Sequence, residues 1–260
     1  MPDNAKPQAP SAAEATSSLL QSFTDRRSLL KSGLLAGGVA GGMAVGGSAL
    51  IDRITAAAQG SDTAQTIFSV ARTAEQLAVT FYSHALQNYL YLGLLGPQYD
   101  YIAAALIEEQ IHLNFFVANG GQSLASTFSF PHGPETFWNR EYFFETQQQL
   151  ENSFDSAFIA AVREFAEMGQ PSLSQIACQV AMVEAEHRVL GRVIVGAEPP
   201  DNHVFAPATI PTVGAAPGIL QQAGYLSPTA GNSYAYAAID PTRFGWLNNS
   251  ITDRTPSSTS

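Results

Sequence analysis

"LIEEQIHLNF", Leu106 to Phe115, and "AMVEAEHRVL", Ala181 to Leu190, each set a glutamate three residues before a histidine in an apolar run. Residues three apart on an α-helix differ by about 60° in azimuth and about 4.5 Å in height, so they share a face. Glu109 and His112 therefore point the same way, as do Glu184 and His187. At this content of Glu and His, chance gives about a quarter of one such pair. Carboxylate oxygen and imidazole nitrogen together are donors that suit iron or manganese.

Two more acids fall on apolar stripes upstream. Glu75 precedes Glu109 by 34 positions and Glu151 precedes Glu184 by 33, so a unit of helix–acid followed by helix–E-x-x-H occurs twice. Ionised carboxylates in a core each cost several kcal/mol to desolvate. Two divalent cations would cancel the four charges of Glu75, Glu109, Glu151 and Glu184. The pattern of two lone Glu and two E-x-x-H pairs is that of dimetal carboxylate bundles.

Four helical patterns must carry these residues. The first, about Asp62 to Leu92, aligns Phe68, Ala71, Glu75, Val79, Tyr82 and Leu86, with Asp62 as its expected N-cap and Gly93, Gly96 and Pro97 as its end. The second, Tyr99 to Ala118, aligns Ile102, Ala105, Glu109, His112 and Phe116. A connection of about twenty residues follows, long for a helix–helix link, and predicts a crossover. The third helix, near Arg140 to Met168, aligns Phe144, Glu151, Phe154, Phe158, Ala161 and Phe165. The fourth, Ser172 to Val195, aligns Ile176, Val180, Glu184, His187 and Gly191. No useful period-2 alternation occurs, so the expected fold is all-α: a four-helix bundle over residues 62–196 with a long crossover between helices 2 and 3. Residues 197–260, rich in Pro, Gly, Ser and Asn, predict an irregular C-terminal extension with one short helix at Pro217–Gly224 and disorder after about Asn249.

Composition narrows the partners. Charged residues are 13% of the 260, hydrophobic residues 45%, and the formal net charge is −10. Both lysines lie in the first 58 residues, which argues against nucleic acid or an anionic membrane as partner. The single cysteine, Cys178, sits in an apolar helical run and reads as a buried small hydrophobe.

Residues 1–58 read as an address. Residues 1–23 are rich in Pro, Ala and Ser without apolar period and are expected to be disordered. "TDRRSLLK" and the uncharged, Gly-rich run Ser32–Ile51 then resemble a twin-arginine export signal, departing from it at Asp25 and in having Leu29 where Phe is usual. Ala56–Ala58 offers a cleavage site. The expectation is export to the periplasm or cell envelope through the twin-arginine machinery, with an uncleaved membrane anchor as the rival reading.

"TAEQLAVTFY" (Thr73–Tyr82), "IEEQIH" (Ile107–His112), "LENSFDSAF" (Leu150–Phe158) and "VEAEHR" (Val183–Arg188) resemble the bacterial ferritin-like domain proteins, the family that includes desiccation-related members. Leu150, Glu151 and Ala157 match the family's third-helix motif, and Phe158 stands for its tyrosine. The resemblance implies Glu75, Glu109, His112, Glu151, Glu184 and His187 as ligands to two metal ions, iron or manganese. It further implies that Glu109 and Glu184 bridge the ions and that Glu75 and Glu151 are terminal. The expected function is redox chemistry with dioxygen or peroxide, or oxidation of Fe(II). The alternative is a non-catalytic envelope or stress protein with a structural or vestigial metal site.

Other candidates read as bland. Glu108 faces about 100° from Glu109 and predicts a solvated or interhelical charge, as does Glu186. Glu164 and Glu167 lie too far along their helix from Glu151 to share a site. His84 reads as structural, while His132 and His203 fall in loops. Tyr82 and Tyr101, two turns from Glu75 and Glu109 on the same faces, read as core aromatics, with support of the ligands or a redox role as the alternative.

Overall fold

The computed structural model describes residues 62–257. The address read in residues 1–58 lies outside the described residues. Four long helices dominate: α1 (Ala64–Gln87), α2 (Pro97–Ala118), α3 (Arg140–Glu167) and α4 (Pro171–Ile194). Two short ones, α5 (Ala216–Gln222) and α6 (Trp246–Ser250), follow in the C-terminal extension. No helix among the described residues is long and apolar enough to cross a membrane.

Local chemistry sets the helix ends. Thr63, not Asp62, caps α1, its hydroxyl accepting from Thr66 N–H at 3.1 Å. Asp62 instead accepts from Gly214 N–H at 2.7 Å and ties the extension to the start of the bundle. Helix α1 stops five residues short of the expected Leu92. Pro97 does not end it but occupies the first turn of α2, where a missing N–H costs nothing. Asn139 caps α3, and Pro171 opens α4. Gly169, at φ 69°, makes the tight turn from α3 to α4 that side-chain-bearing residues adopt with strain.

Short connections make α1–α2 and α3–α4 antiparallel hairpins. The hairpins pack on each other through α1 against α3 and α2 against α4. The crossover from Asn119 to Asn139 carries a two-residue strand, β1 (Thr127–Phe128), paired antiparallel with β2 (Tyr234–Ala235) of the extension. This ladder, with an isolated bridge between Thr229 and Asn232, is the departure from an all-α fold among the described residues. The extension is fastened rather than loose. Gln110 Oε1 accepts from Ile239 N–H at 2.9 Å, Tyr225 Oη donates to Gln149 at 2.6 Å, and Gln179 Nε2 donates to Ser257 O at 2.7 Å. The stretch after Asn249, expected to be disordered, is thus held against α4 as far as Ser257.

The core is aromatic at both ends of the bundle. Phe81 stacks on Phe143 at 4.8 Å and meets Phe130 and Phe137 at one end. Phe68, Phe116, Phe158 and Phe165 interlock at the other. Cys178 is exposed, contrary to the sequence reading. Its neighbour Ala177 takes the buried side of α4, and one residue's 100° step turns the thiol outward.

Arg140 stitches the helix ends near the Phe81 cluster. Its guanidinium donates to Leu92 O at 2.6 Å and Ile194 O at 3.0 Å, and lies 5.2 Å over the Phe144 ring. Arg140→Ala is expected to cost about 2–3 kcal/mol by leaving carbonyls without their charged donor. Arg140→Lys should recover only part, because an ammonium cannot fork to both. Thermal and urea unfolding check this, and a change below about 0.5 kcal/mol for the alanine variant counts against the stitch.

Candidate metal centre

Midway between the two aromatic ends, one layer of the bundle is polar. Glu75 from α1, Glu109 and His112 from α2, Glu151 from α3, and Glu184 and His187 from α4 all turn inward to one point. The structure thus brings together all six residues singled out from the sequence. Five are at most 2% exposed, while the His112 side chain keeps 16% and forms the one edge toward solvent.

The donors fall into two overlapping groups. Glu75, Glu109, His112 and Glu184 each place a ligand atom within 4.8 Å of the others, and so do Glu109, Glu151, Glu184 and His187. Glu109 and Glu184 belong to both. Atom by atom, His112 Nδ1 lies 3.9 Å from Glu75 Oε2, 3.7 Å from Glu109 Oε2 and 3.7 Å from Glu184 Oε1. His187 Nδ1 lies 3.1 Å from Glu109 Oε1, 3.4 Å from Glu184 Oε2 and 4.0 Å from Glu151 Oε2. Each shared carboxylate therefore offers one oxygen to each half.

Eight of these inward atoms are buried without a hydrogen-bond partner: Glu75 Oε1, both oxygens of Glu109 and of Glu184, Glu151 Oε2, and Nδ1 of His112 and of His187. Buried polar atoms are nearly always paired. Eight unpaired donor atoms converging on one place fit cations between them, with carboxylate and imidazole as suitable donors.

Without cations the site must hold protons. Burial, then the neighbouring Glu109, pushes the Glu75 carboxyl well above the usual range. Burial also raises Glu151 and Glu184. Burial would raise Glu109 too, but the nearness of Glu75, His112 and His187 outweighs it and holds that carboxyl low. His187 is raised, because its contacts with Glu108, Glu109 and Glu184 overcome the burial that would lower it.

Other side chains brace the ligands. Tyr82 Oη donates to Glu151 Oε1, leaving Oε2 as that residue's free donor. Gln147 Nε2 donates to His187 O at 2.7 Å and to Tyr82 Oη at 3.3 Å. Gly191 makes room for it, since a Cβ there would sit 2.1 Å from Gln147 Oε1. Glu108 Oε2 lies 2.8 Å from His187 Nε2, an interhelical contact from α2 to α4. Asp155, one turn past Glu151 and buried, is pushed up to about 7, chiefly by burial and then by Glu184.

Glu108, Gln147 and Asp155 were not singled out for the site from the sequence. Gln147 and Asp155 stand four residues either side of Glu151, on its own face, and that polar spacing was a usable signal. The remaining candidates lie elsewhere. Tyr101 is surface-exposed at 37% and so is not a core aromatic. His84 packs between the Phe137 and Tyr234 rings, and His132 stacks on Tyr142 at 4.1 Å. Glu164 accepts from Val213 N–H at 3.2 Å and braces the extension.

A sequence model described as a ferritin-like domain matches residues 63–197. No curated protein and no solved structure matches the chain.

The pH response of the metal-free protein follows from these shifts. Glu75, Glu151, Glu184 and Asp155 bind protons more tightly folded than unfolded, so their stabilisation is whole below the unfolded carboxylate pKa of about 4 and is lost as pH rises through the folded values. His187, also raised, has the same sign; Glu109 opposes. Chelator-treated protein should therefore show a melting temperature that falls between about pH 5 and pH 8, and added divalent metal should flatten that fall by taking the protons' place. A metal-free melting temperature that climbs over this range would contradict the assignment.

Gly191→Ala should destabilise by about 1–2 kcal/mol, although alanine is the better helix former by up to about 1 kcal/mol, because the displaced Gln147 amide loses buried bonds. Equal or greater stability in urea unfolding would count against this.

Proposed function

Because the chain belongs to the ferritin-like domain family, we propose that its buried cluster holds two divalent cations, iron or manganese, and that the protein carries out redox chemistry with dioxygen or peroxide, or oxidises Fe(II). The observation that carries this reading is the set of eight unpartnered donor atoms in two groups sharing Glu109 and Glu184. Four carboxylates against two divalent cations make a neutral site, so the burial that is prohibitive for the bare acids becomes tolerable.

A bound pair of such metals supplies two electrons to one oxidant. The chain's own residues do the rest. Glu109 and Glu184 belong to both groups and would hold both ions, Glu75 and His112 would complete the hold on one, and Glu151 and His187 on the other. Tyr82 holds a proton against Glu151 and orients it. Packed aromatics on both sides exclude water, leaving the edge at His112 for small reactants.

Burial of five of the six donors favours one further reading, a metal kept only as a structural clamp. The two part on turnover. The redox reading expects close to two metals per chain by elemental analysis, a change in visible absorbance when oxidant meets the iron-loaded protein, and turnover. The clamp expects a large loss of stability with chelator and no turnover. Metal content near zero after reconstitution defeats both. Glu109→Ala and Glu184→Ala, each touching both groups, should lower metal content more than Glu75→Ala or Glu151→Ala.

Export belongs to the same proposal and rests on the sequence of residues 25–51. Replacing both Arg26 and Arg27 by Lys should leave the protein in the cytoplasmic fraction. Unchanged fractionation would refute the twin-arginine route.

A further inference from the structure

The two halves of the cluster have the same donors but different surroundings. On one side, Glu151 receives the Tyr82 hydroxyl, His187 is 1% exposed, and its outer nitrogen Nε2 lies 2.8 Å from Glu108 Oε2. On the other, the His112 side chain is partly open, at 16%. Among the described residues no carboxylate lies at Nε2 of His112.

The internal repeat shows where the difference arises. Glu108 immediately precedes Glu109 on α2 and reaches across to the histidine of α4. The residue that immediately precedes Glu184 on α4 is Val183, so the matching position has nothing to offer the histidine of α2. One carboxylate, present in one copy of the unit and missing from the other, breaks the symmetry of the centre.

We propose that Glu108 is a positioning residue that fixes His187 with its proton on Nε2 and its lone pair on Nδ1. It thereby makes the two cation positions unequal, an inference that rests on the two-cation reading above. The position between Glu151 and His187 fills first and keeps its ion. The position between Glu75 and His112 fills second and exchanges.

Three physical effects act in this direction. A carboxylate on the outer nitrogen selects the tautomer whose inner nitrogen can ligate, and raises the basicity of that nitrogen. Glu108 is 28% exposed, so its own charge stays partly hydrated and adds little of the desolvation cost that the four inner carboxylates carry. At His112, by contrast, water reaches the ring, and among the described residues no carboxylate lies at its Nε2.

The test uses the full chain, stripped with chelator and titrated with Mn(II), free ion being followed by the six-line paramagnetic resonance of the aqueous ion. Wild type should take up manganese in two steps at least about tenfold apart in affinity. Glu108→Leu should weaken the tighter step by about 10–100-fold and leave the weaker within about threefold. Glu108→Gln, which keeps an acceptor oxygen without the charge, should fall between, and His112→Ala should remove the weaker step alone. In the zinc-loaded protein, ¹⁵N spectra of the histidines should show Nε2–H on His187 in wild type and a loss of that preference in Glu108→Leu. Circular dichroism confirms that each variant is folded. Two equal steps in wild type, or two steps that Glu108→Leu leaves unchanged, overturn the inequality while leaving the two-cation reading intact. No uptake of manganese, iron or zinc overturns that reading and this inference with it.

Discussion

The uncancelled charge of four carboxylates in one layer of a small bundle is the constraint to which the rest of the molecule answers. Among the described residues, no arginine pairs with these four acids. Arg188, the nearest arginine in sequence to the cluster, donates to Asn202 and pairs with Asp201 instead. Arg140 is committed to the helix ends. With only two imidazoles among the four acids, neutrality comes from protons or from added cations, and the unpartnered lone pairs favour cations. A bundle that had lost its metal would be expected to replace these acids with apolar residues of similar volume, since that substitution is often stabilising.

Apolar packing frames the charged layer on both sides. Phe68, Phe116, Phe158 and Phe165 fill the interior on one side of the acids, and Phe81, Phe143, Phe130 and Phe137 fill it on the other. The extension adds to the frame. Ile210, Val213 and Leu220 cover the groove between α1 and α3, and β2 locks the crossover in place.

Much of this was legible in the sequence, for reasons that can be stated. The stripes of all four helices were readable because acids and aromatics recur at helical spacing, and the ferritin-like fold followed from two hairpins with a long link. Helix ends were less so. Thr63 and Asp62 are adjacent residues of similar capping strength, and only the presence of Gly214 N–H decides which one caps. Cys178 was misread because an apolar run in α4 continues round the helix past the buried face. The path of the extension was not legible, because its anchors are single hydrogen bonds to distant side chains such as Gln110 and Gln149. Glu108 was read only as a solvated or interhelical charge, because its partner on His187 depends on how α2 and α4 pack, which periodicity within one helix does not contain.

The braces around the ligands bear on what the centre is for. Tyr82, Gln147 and Glu108 come from three different helices, and each spends its hydrogen bonds on a ligand side chain or on the backbone carrying one. Such bonds hold donor atoms in place whether or not an ion is present, as do the aromatic clusters on either side. Where a metal is needed to fold the chain, the ion itself gathers the ligands, and such braces then only orient them. A site whose ions change charge and exchange needs the braces, since the donors must keep their geometry while the occupant varies. Preorganisation of this kind is compatible with the redox reading proposed above, and turnover, not geometry, separates that reading from the clamp.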